Sequence, residues 1–154
     1  MPESAADMKL IVFQLSGKEY GISVRLVRGV EKVQRITRVP GTVSFVKGVI
    51  NLRGVVTPII DLRKRFGLEE ALYSDTTRVI IVATDNVEVG LVVDGANDVI
   101  DINENDIEPS PEMVGVEADE FVKGVVKVSG RLLILLDLVK VLDLDIVKLE
   151  GSEV

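Results

Sequence analysis

The chain has 154 residues, a formal net charge of −7 at pH 7, and neither cysteine nor histidine. These absences exclude a disulfide framework and a thiolate metal site, and they remove the commonest general base and metal ligand. The acidic balance gives no electrostatic support to nucleic-acid binding. We therefore predict a protein that is not an enzyme, needs no metal or cofactor, and binds no nucleic acid.

Hydrophobic residues make up 47% of the chain, whereas aromatic residues make up only 4%. A composition so rich in branched aliphatic side chains is typical of β-structure with slender cores. The amino terminus carries Glu3 and Asp7 in place of the basic segment of a signal peptide, and no apolar run approaches the roughly 18 residues of a membrane span. These features predict a cytoplasmic protein.

The first part of the chain predicts a β-hairpin that follows a flexible tail over residues 1–8. Leu10–Leu15 and Tyr20–Val24 are apolar runs separated by a Ser-Gly-Lys-Glu turn. Ser23 is placed to cap a brief helix. The apolar residues of that helix follow 3.6-residue spacing: Leu26, Val27 and Val30. Glu31–Val39 comes next and favours a strand only weakly, because its apolar residues do not alternate.

A second hairpin ends in a short helix. Pro58 lies inside the predicted strand Val55–Ile60, which predicts an edge strand or a bulge. Asp61–Phe66 then predicts one to two turns of helix, closed by a glycine. The basic residues of that helix are predicted to face solvent: Arg63, Lys64 and Arg65. Leu68–Thr76 is polar and acidic, and it predicts the connection between two halves of the chain.

The segment Val46–Phe66 returns as Val122–Leu142 at a constant offset of 76 residues. Five matches fall where a hairpin and its following helix need particular residues: Gly48 with Gly124, Gly54 with Gly130, Asp61 with Asp137, Leu62 with Leu138, and Lys64 with Lys140. Gly54 and Gly130 suit turns that need a positive φ. The two aspartates suit helix N-caps.

The opening hairpin also returns, at an offset of 69 residues, over Thr77–Thr84 and Val87–Asp94, with a predicted turn at residues 85–86. The matches are Leu10–Phe13 with Val79–Val82, Glu19 with Glu88, Gly21 with Gly90, and Val30 with Val99. The change of offset places about seven extra residues in the second copy, within Asp101–Glu120. The duplication therefore covers nearly the whole chain.

Two copies of this unit predict an all-β fold, mainly β with short helices. Its two five-stranded barrel subdomains, SH3-like or OB-like, arise by internal duplication and share a hydrophobic core. We predict one domain over residues 9–146, with subdomains over about 9–75 and 76–146 that can exchange strands. Residues 147–154 are predicted to be a carboxyl-terminal tail.

The two copies differ most at the hairpin turn, which contains Arg53 in the first copy and Ser129 in the second. A turn needs the glycine that follows but does not need the Leu52-Arg53 pair. An arginine beside a leucine offers a partner both hydrogen-bond donors and an apolar contact. The alternative is a solvated turn arginine, which composition alone favours.

The acidic segment partly matches a calcium-binding EF-hand loop. Asp101, Asn103, Asn105 and Glu112 fall at positions 1, 3, 5 and 12 of that loop. Position 6 is Asp106, where the loop needs glycine, and two prolines lie inside it. A solvated, capped turn is therefore the favoured interpretation, and a calcium-binding module is the alternative.

The sequence resembles the CheW family of chemotaxis coupling proteins from about residue 10 to residue 142. The resemblance rests on Gly48–Gly54, which reads Gly-Val-Ile-Asn-Leu-Arg-Gly, and on Pro58–Arg63, which reads Pro-Ile-Ile-Asp-Leu-Arg. Three further segments support it: Tyr20–Ile22, Val89–Asp94 and Ile107–Glu112. The same module resembles a domain of the kinase CheA and part of CheV, and the short chain favours a stand-alone adaptor.

This resemblance implies two SH3-like barrels without catalysis, which couple chemoreceptors to the histidine kinase CheA. It implies contacts with the CheW-like regulatory domain of CheA and with the cytoplasmic tip of the receptor, which binds in a groove between the barrels. It further implies recruitment to membrane-associated receptor arrays, where such modules form rings with CheA. A coupling protein of a non-flagellar chemosensory pathway fits the same residues.

The resemblance places receptor contacts on one set of residues: Val27, Gly29, Glu31, Gly48, Asn51, Leu52, Arg53 and Gly54. It places kinase contacts on the second-copy hairpin: Arg78, Gly90 and Ala96. Gly29 departs from the pattern, because some family members carry an acidic residue there. The neighbouring Glu31 is predicted to take its place.

Overall fold

The computed structural model describes residues 7–84, 87–109 and 120–142. The strands in these ranges are β1 (Asp7–Leu15), β2 (Lys18–Ser23), β3 (Val27–Lys32), β4 (Val46–Leu52), β5 (Val55–Asp61), β6 (Arg78–Thr84), β7 (Val87–Val93), β8 (Gly95–Asn103), β9 (Val122–Val128) and β10 (Arg131–Leu136). Two short helices follow hairpins, α1 (Leu62–Arg65) and α2 (Leu138–Val141). Single 3-10 turns lie at Val24–Leu26 and Glu104–Asp106.

The strands form two five-stranded sheets, which confirms the predicted mainly-β class. The first sheet has the order β8-β1-β2-β10-β9, and the second has the order β3-β6-β7-β5-β4. Hairpins supply the antiparallel pairs, whereas β2 with β10 and β5 with β7 pair in parallel. Each parallel pair joins a strand of one sequence repeat to a strand of the other. Neither sheet is therefore confined to residues 9–75 or to residues 76–146.

Each sheet curls so that the chain beyond one edge strand meets the opposite edge. Thr37, which follows β3, bridges Val49 in β4, and Glu108, which follows β8, bridges Val125 in β9. Each bridge has two backbone hydrogen bonds of 2.8 to 2.9 Å. The repeats thus close in the same way, and closure pairs backbone groups that an open sheet edge would expose.

The first repeated glycine pair permits this closure. A Cβ on Gly124 would lie 2.7 Å from the Glu108 carbonyl oxygen, and one on Gly48 would overlap the Thr37 carbonyl oxygen. Gly48 also has a φ of 149°, a conformation that side-chain-bearing residues rarely adopt. The repeated glycines are therefore required by close backbone approach at the closing bridge.

The predicted turns and caps are confirmed. Gly54 and Gly130 have φ values of 86° and 78°, and the residues before them, Arg53 and Ser129, have φ values of 53° and 51°. Two successive positive φ angles in a two-residue hairpin loop define a type I′ turn. The Asp61 carboxylate accepts hydrogen bonds from the first-turn amides of α1, and that of Asp137 accepts one in α2.

One hydrophobic core joins the two sheets. Phe13 and Tyr20 of the first sheet stack with ring centroids 5.5 Å apart, and Tyr20 lies 6.0 Å from Phe66, which ends α1. Phe66 in turn stacks on Phe121, before β9, at 5.3 Å. Burying such large rings at the junction makes a major contribution to the stability of a chain with few aromatic residues.

The predicted helix after Ser23 is reduced to one 3-10 turn. The Ser23 hydroxyl caps Val24–Leu26, as expected, but Val27 and Val30 belong to strand β3. Pairing of β3 with β6 outweighs the local 3.6-residue spacing. At the amino terminus, β1 begins at Asp7, within the segment predicted as a tail.

The prediction of an edge position for Pro58 is wrong. Strand β5 lies between β7 and β4, so it is an interior strand. Pairing with β7 begins at Ile59, one residue after the proline, and a register shift in β4 lies opposite Ile59 and Ile60. Pro58 therefore precedes the part of β5 that pairs on both sides, next to an irregularity in β4.

The prediction that the basic residues of α1 all face solvent is also wrong. The Arg63 side chain is only 17% exposed and binds Asp94 at 2.7 Å. The Arg65 guanidinium lies over two rings, 4.4 Å from the centroid of Phe45 and 4.7 Å from that of Phe121. Only the Lys64 side chain, which pairs with Glu70, resembles the expected solvated face.

Asp94 connects the two sheets at the end of β7. Its carboxylate accepts hydrogen bonds from the Arg63 guanidinium and from the backbone N–H of Ser16, in the β1–β2 turn. Burial raises the pKa of the Asp94 carboxyl, but the bonds from Arg63 and Ser16 outweigh burial, and the pKa is lowered overall. The carboxylate form is therefore the one that the folded protein prefers.

We expect Asp94→Asn to remove an acid-sensitive part of the stability. A lowered pKa in the folded state stabilises the protein above the unfolded pKa of about 4, and this contribution disappears as the pH falls through the folded pKa. Because the carboxylate is 35% exposed, we expect a loss of only about 1 kcal/mol at pH 7. Urea unfolding from pH 7 to pH 3 should show a flatter acid limb in the variant than in the wild type.

Asp101→Asn is the control, because Asp101 forms an exposed ion pair with Lys9. It should change the free energy of unfolding by no more than a few tenths of about 1 kcal/mol. Equal acid limbs in the wild type and in Asp94→Asn would contradict the role of the Asp94 carboxylate.

Candidate partner-binding surface

The structure brings together two of the predicted receptor residues from opposite edges of the second sheet. Closure by the Thr37–Val49 bridge places β3 near the β4–β5 turn. There an Arg53 guanidinium nitrogen lies 3.5 Å from a Glu31 carboxylate oxygen. The Arg53 side chain is 77% exposed, so this long contact leaves most of its donors facing solvent.

The hairpin turn is held by its own residues. The Asn51 side-chain oxygen accepts a hydrogen bond of 2.8 Å from the Gly54 N–H. Asn51 and Gly54 therefore shape the turn, while Leu52 is partly buried against the core of the second sheet. This leaves Arg53 as the side chain that the turn presents outward.

Arg53 occupies this position at a backbone cost. Its φ of 53° is in the left-handed region, where asparagine, aspartate and glycine are favoured and arginine is not. The equivalent turns use serine at this position, with Ser16 at 54° and Ser129 at 51°. Because neither turn chemistry nor core packing calls for arginine here, its side chain is the strongest signal for a binding role.

Gly29 lies beside the same ion pair. A Cβ at Gly29 would lie 3.3 Å from a Glu31 carboxylate oxygen, so the two positions share one small region of β3. This proximity agrees with the prediction that Glu31 supplies the negative charge that Gly29 lacks. Val27 differs, since it packs against the shared core at the start of the strand. Gly48 is buried at the closing bridge.

The predicted receptor residues thus divide by role. Those on β3, on β4 and in the β4–β5 turn all belong to the second sheet, and only Val27 reaches the shared core. Glu31 and Arg53 form the exposed polar centre. Gly48, Asn51 and Gly54 support it through the backbone. The groove between the barrels stays a prediction.

The corresponding region of the first sheet satisfies its own charges. Arg131, next to the second-copy turn, donates two bonds of 2.9 to 3.0 Å to Glu19 and one of 2.9 Å to Asp98. Hydrogen bonding from Arg131 lowers the pKa of the Glu19 carboxyl, and the two carboxylates raise the pKa of Arg131. This arginine has its carboxylates within the fold, unlike Arg53. Only the structure revealed this network.

The three predicted kinase residues do not form one group. Arg78 and Ala96 line the same shallow depression, together with Thr76 and Asn97. The Arg78 guanidinium donates to the carbonyls of Asp75 and Thr77, so it also braces the turn before β6. Gly90 is buried in β7, where a Cβ would meet Val79 and Ile59 side chains. It can affect a surface only through packing.

The residues of the calcium alternative lie mainly in paired structure. Asp101 is in β8 opposite Lys9, and Asn103 ends that strand and caps the 3-10 turn that follows. Glu112 lies outside the described residues. In the part of the chain that the structure describes, no three acidic side chains are grouped so that they could hold a metal ion.

No helix within the described ranges has the length and apolarity needed to cross a membrane.

Comparison with known proteins now decides the family. The CheW-like domain family matches residues 9–145. The chain belongs to the CheW-like family. It is 53% identical over 135 residues to the chemotaxis protein CheW of Bacillus subtilis, covering 88% of this chain and 86% of that protein. It is 39% identical over 134 residues to CheW of Klebsiella aerogenes, covering 87% and 81%.

A solved structure agrees with this assignment. The scaffolding protein TtCheW from Thermoanaerobacter tengcongensis superposes with a TM-score of 0.80 and 38% sequence identity, over 89% of this chain and 88% of that one. The likeness confirms the mainly-β fold with two SH3-like subdomains. Membership of the CheW-like family supports a chemotaxis adaptor role without catalysis.

Proposed function

We propose that this chain is a non-catalytic adaptor that couples chemoreceptors to the histidine kinase CheA. Its place in the CheW-like family supports a role in chemotaxis signalling complexes. The observation that carries the receptor contact is Arg53, held exposed at a turn whose backbone disfavours it and paired only at 3.5 Å with Glu31. The proposed site of action is the cytoplasmic face of membrane-associated receptor arrays.

The proposed receptor surface is centred on Glu31 and Arg53. The receptor tip, as proposed, is a helical hairpin, and such a helix binds through apolar contact and a few polar anchors. Arg53 supplies the donors, and Val55 and Val56 beside it are 52% and 66% exposed. Arg78 and Ala96 are proposed for the contact with the CheW-like domain of CheA.

Replacement of Arg53 by asparagine tests the receptor contact without damaging the turn. Asparagine prefers the left-handed conformation that Arg53 occupies, so Arg53→Asn should fold at least as stably as the wild type. We expect binding to a chemoreceptor cytoplasmic fragment to weaken by at least about tenfold, as for an interface arginine. Isothermal titration calorimetry measures the affinity, and urea unfolding measures the stability.

Ser129→Asn is the matched control, since it places the same residue in the equivalent turn of the other repeat. Its receptor affinity should equal that of the wild type, and both variants should still bind the CheW-like domain of CheA. If Arg53→Asn binds the receptor as tightly as Ser129→Asn, Arg53 is only a surface turn residue. If the wild-type protein binds neither receptor nor kinase, the coupling function itself is wrong.

A further inference from the structure

A cationic hollow lies between the end of β3 and helix α1. Its lining, here called the basic hollow, consists of Ile36, Arg38, Ser44, Val46, Lys47 and Lys64. Three of these six residues carry positive charge, in a chain whose formal net charge is −7. The local charge is therefore opposite to that of the protein as a whole, and it favours an acidic occupant.

The cations of the basic hollow are only partly neutralised by the fold. Lys64 lies 3.3 Å from Glu70, whose side chain is 58% exposed. For Arg38 and Lys47, no carboxylate in the described part of the chain lies within ion-pair distance. An acidic segment could therefore pair with these two side chains without displacing an existing ion pair.

Apolar side chains adjoin the basic hollow. The Lys47 ammonium lies 5.9 Å from the centroid of the Tyr73 ring, so Tyr73 is beside the hollow and is 38% exposed. The next residue back, Leu72, is 96% exposed, and Val43, just before Ser44, is 38% exposed. Large apolar side chains left exposed beside unpaired cations are typical of a docking surface.

The chain itself contains a segment with the complementary chemistry. Residues 143–154 follow α2 and read Asp-Leu-Asp-Ile-Val-Lys-Leu-Glu-Gly-Ser-Glu-Val, which interleaves four acidic residues with apolar ones and includes a single lysine. The acidic and apolar positions of this segment match the two kinds of side chain around the hollow.

This segment starts close to the basic hollow. The Arg65 guanidinium donates to the carbonyl oxygens of Val141 and Lys140, at the end of α2. Arg65 follows Lys64 in α1, and Lys64 lines the hollow. An extended chain advances about 3.3 Å per residue, so five or six residues beyond Leu142 span roughly 17 to 20 Å. The segment can therefore reach the hollow from the place where it leaves the fold.

We propose that residues 143–154 dock on the basic hollow of the same molecule, with acidic side chains against Arg38 and Lys47 and apolar side chains against Leu72 and Tyr73. Tethering raises the effective concentration of the segment to the millimolar range, so weak contacts suffice for binding. The docked segment covers a surface that is distinct in charge from the Glu31–Arg53 centre. A partner that binds the hollow must compete with it.

Paramagnetic broadening in the full chain tests this docking. The protein has no cysteine, so Ser152→Cys provides a unique attachment point for a nitroxide. We expect the label to broaden the amide signals of Lys47 and Leu72 and to leave those of the Ser129-Gly130 turn unchanged. In about 1 M salt, where charges are screened beyond about 3 Å, the broadening should fall by at least about half.

Charge reversal provides the second arm. Lys47→Glu should reduce the broadening at Leu72, and the added change Asp145→Lys should restore it. Lys127→Glu, on the β9 surface, is the matched control and should have no effect. Isotope-labelled protein without the nitroxide is also mixed with unlabelled, nitroxide-bearing protein.

The outcomes separate the possible occupants. Salt-sensitive broadening at the hollow, absent from the mixed sample, supports docking within one molecule. Broadening in the mixed sample identifies a second copy as the occupant and overturns the proposal. Uniform or absent broadening in the labelled full chain overturns it as well, and neither result bears on the receptor contact of Arg53.

Discussion

Gly48→Ala should destabilise the protein by about 4 kcal/mol, the largest single effect we expect. The new Cβ would overlap the Thr37 carbonyl oxygen and approach Ile36, at the bridge that closes the second sheet. Backbone atoms held by two hydrogen bonds cannot rotate away as a flexible side chain can. The φ of 149° adds strain for any residue with a side chain. Urea unfolding of the two proteins measures the difference.

Gly41→Ala separates backbone strain from overlap. Gly41 also has a positive φ, of 80°, but a Cβ there would meet nothing within 4 Å. We expect a cost of about 1 kcal/mol, from the left-handed conformation alone. A Gly48→Ala variant no less stable than Gly41→Ala would show that the closing bridge yields easily, contrary to the geometry. The comparison also matters for function, because reduced receptor binding by Gly48→Ala then follows from lost fold.

Arg65→Ala should destabilise the protein by about 3 kcal/mol. The guanidinium lies between the rings of Phe45, before β4, and Phe121, before β9, and so joins the second sheet to the first. It also donates to two carbonyl oxygens at the end of α2. Truncation removes both ring contacts and leaves those carbonyls without their charged donor. Chemical unfolding at neutral pH measures the loss.

Arg65→Lys and Lys64→Ala are the informative companions. Lysine keeps the charge but lacks the planar fork that can contact two rings and two carbonyls together, so Arg65→Lys should recover less than half of the lost stability. Lys64→Ala removes only an exposed ion pair in the same helix and should cost about 0.5 kcal/mol. Equal losses for Arg65→Ala and Lys64→Ala would contradict a structural role for the Arg65 contacts.

The family signature acquires physical reasons from these contacts. Gly48 permits closure of the sheet, Asp61 caps α1, and Asp94 joins Arg63 to the Ser16 amide. Arg53 has no such structural explanation, and it occupies a turn position where asparagine would fit better. A motif that combines structural residues with one functional residue can be separated only when the contacts of each are known.

The sequence by itself determined the repeated local chemistry. Type I′ turns need glycine, and a short helix after a strand needs a cap, so Gly54, Gly130, Asp61 and Asp137 were predictable from their neighbours. These requirements act over a few residues, within the reach of spacing and side-chain preference. The duplication, the mainly-β class and the unusual Arg53 followed from the same local information.

Only the tertiary structure decided which distant segments meet. The parallel pairs β2 with β10 and β5 with β7 cross between the repeats, and hydrophobic spacing does not specify such partners. The same crossing makes β5 an interior strand despite Pro58, and it carries Arg65 to Phe121 although charge on a short helix favours solvent. Phe45 and Phe121 lie 76 residues apart, so the repeat marked their equivalence. Their shared arginine, however, depends on packing between sheets, which no local pattern encodes.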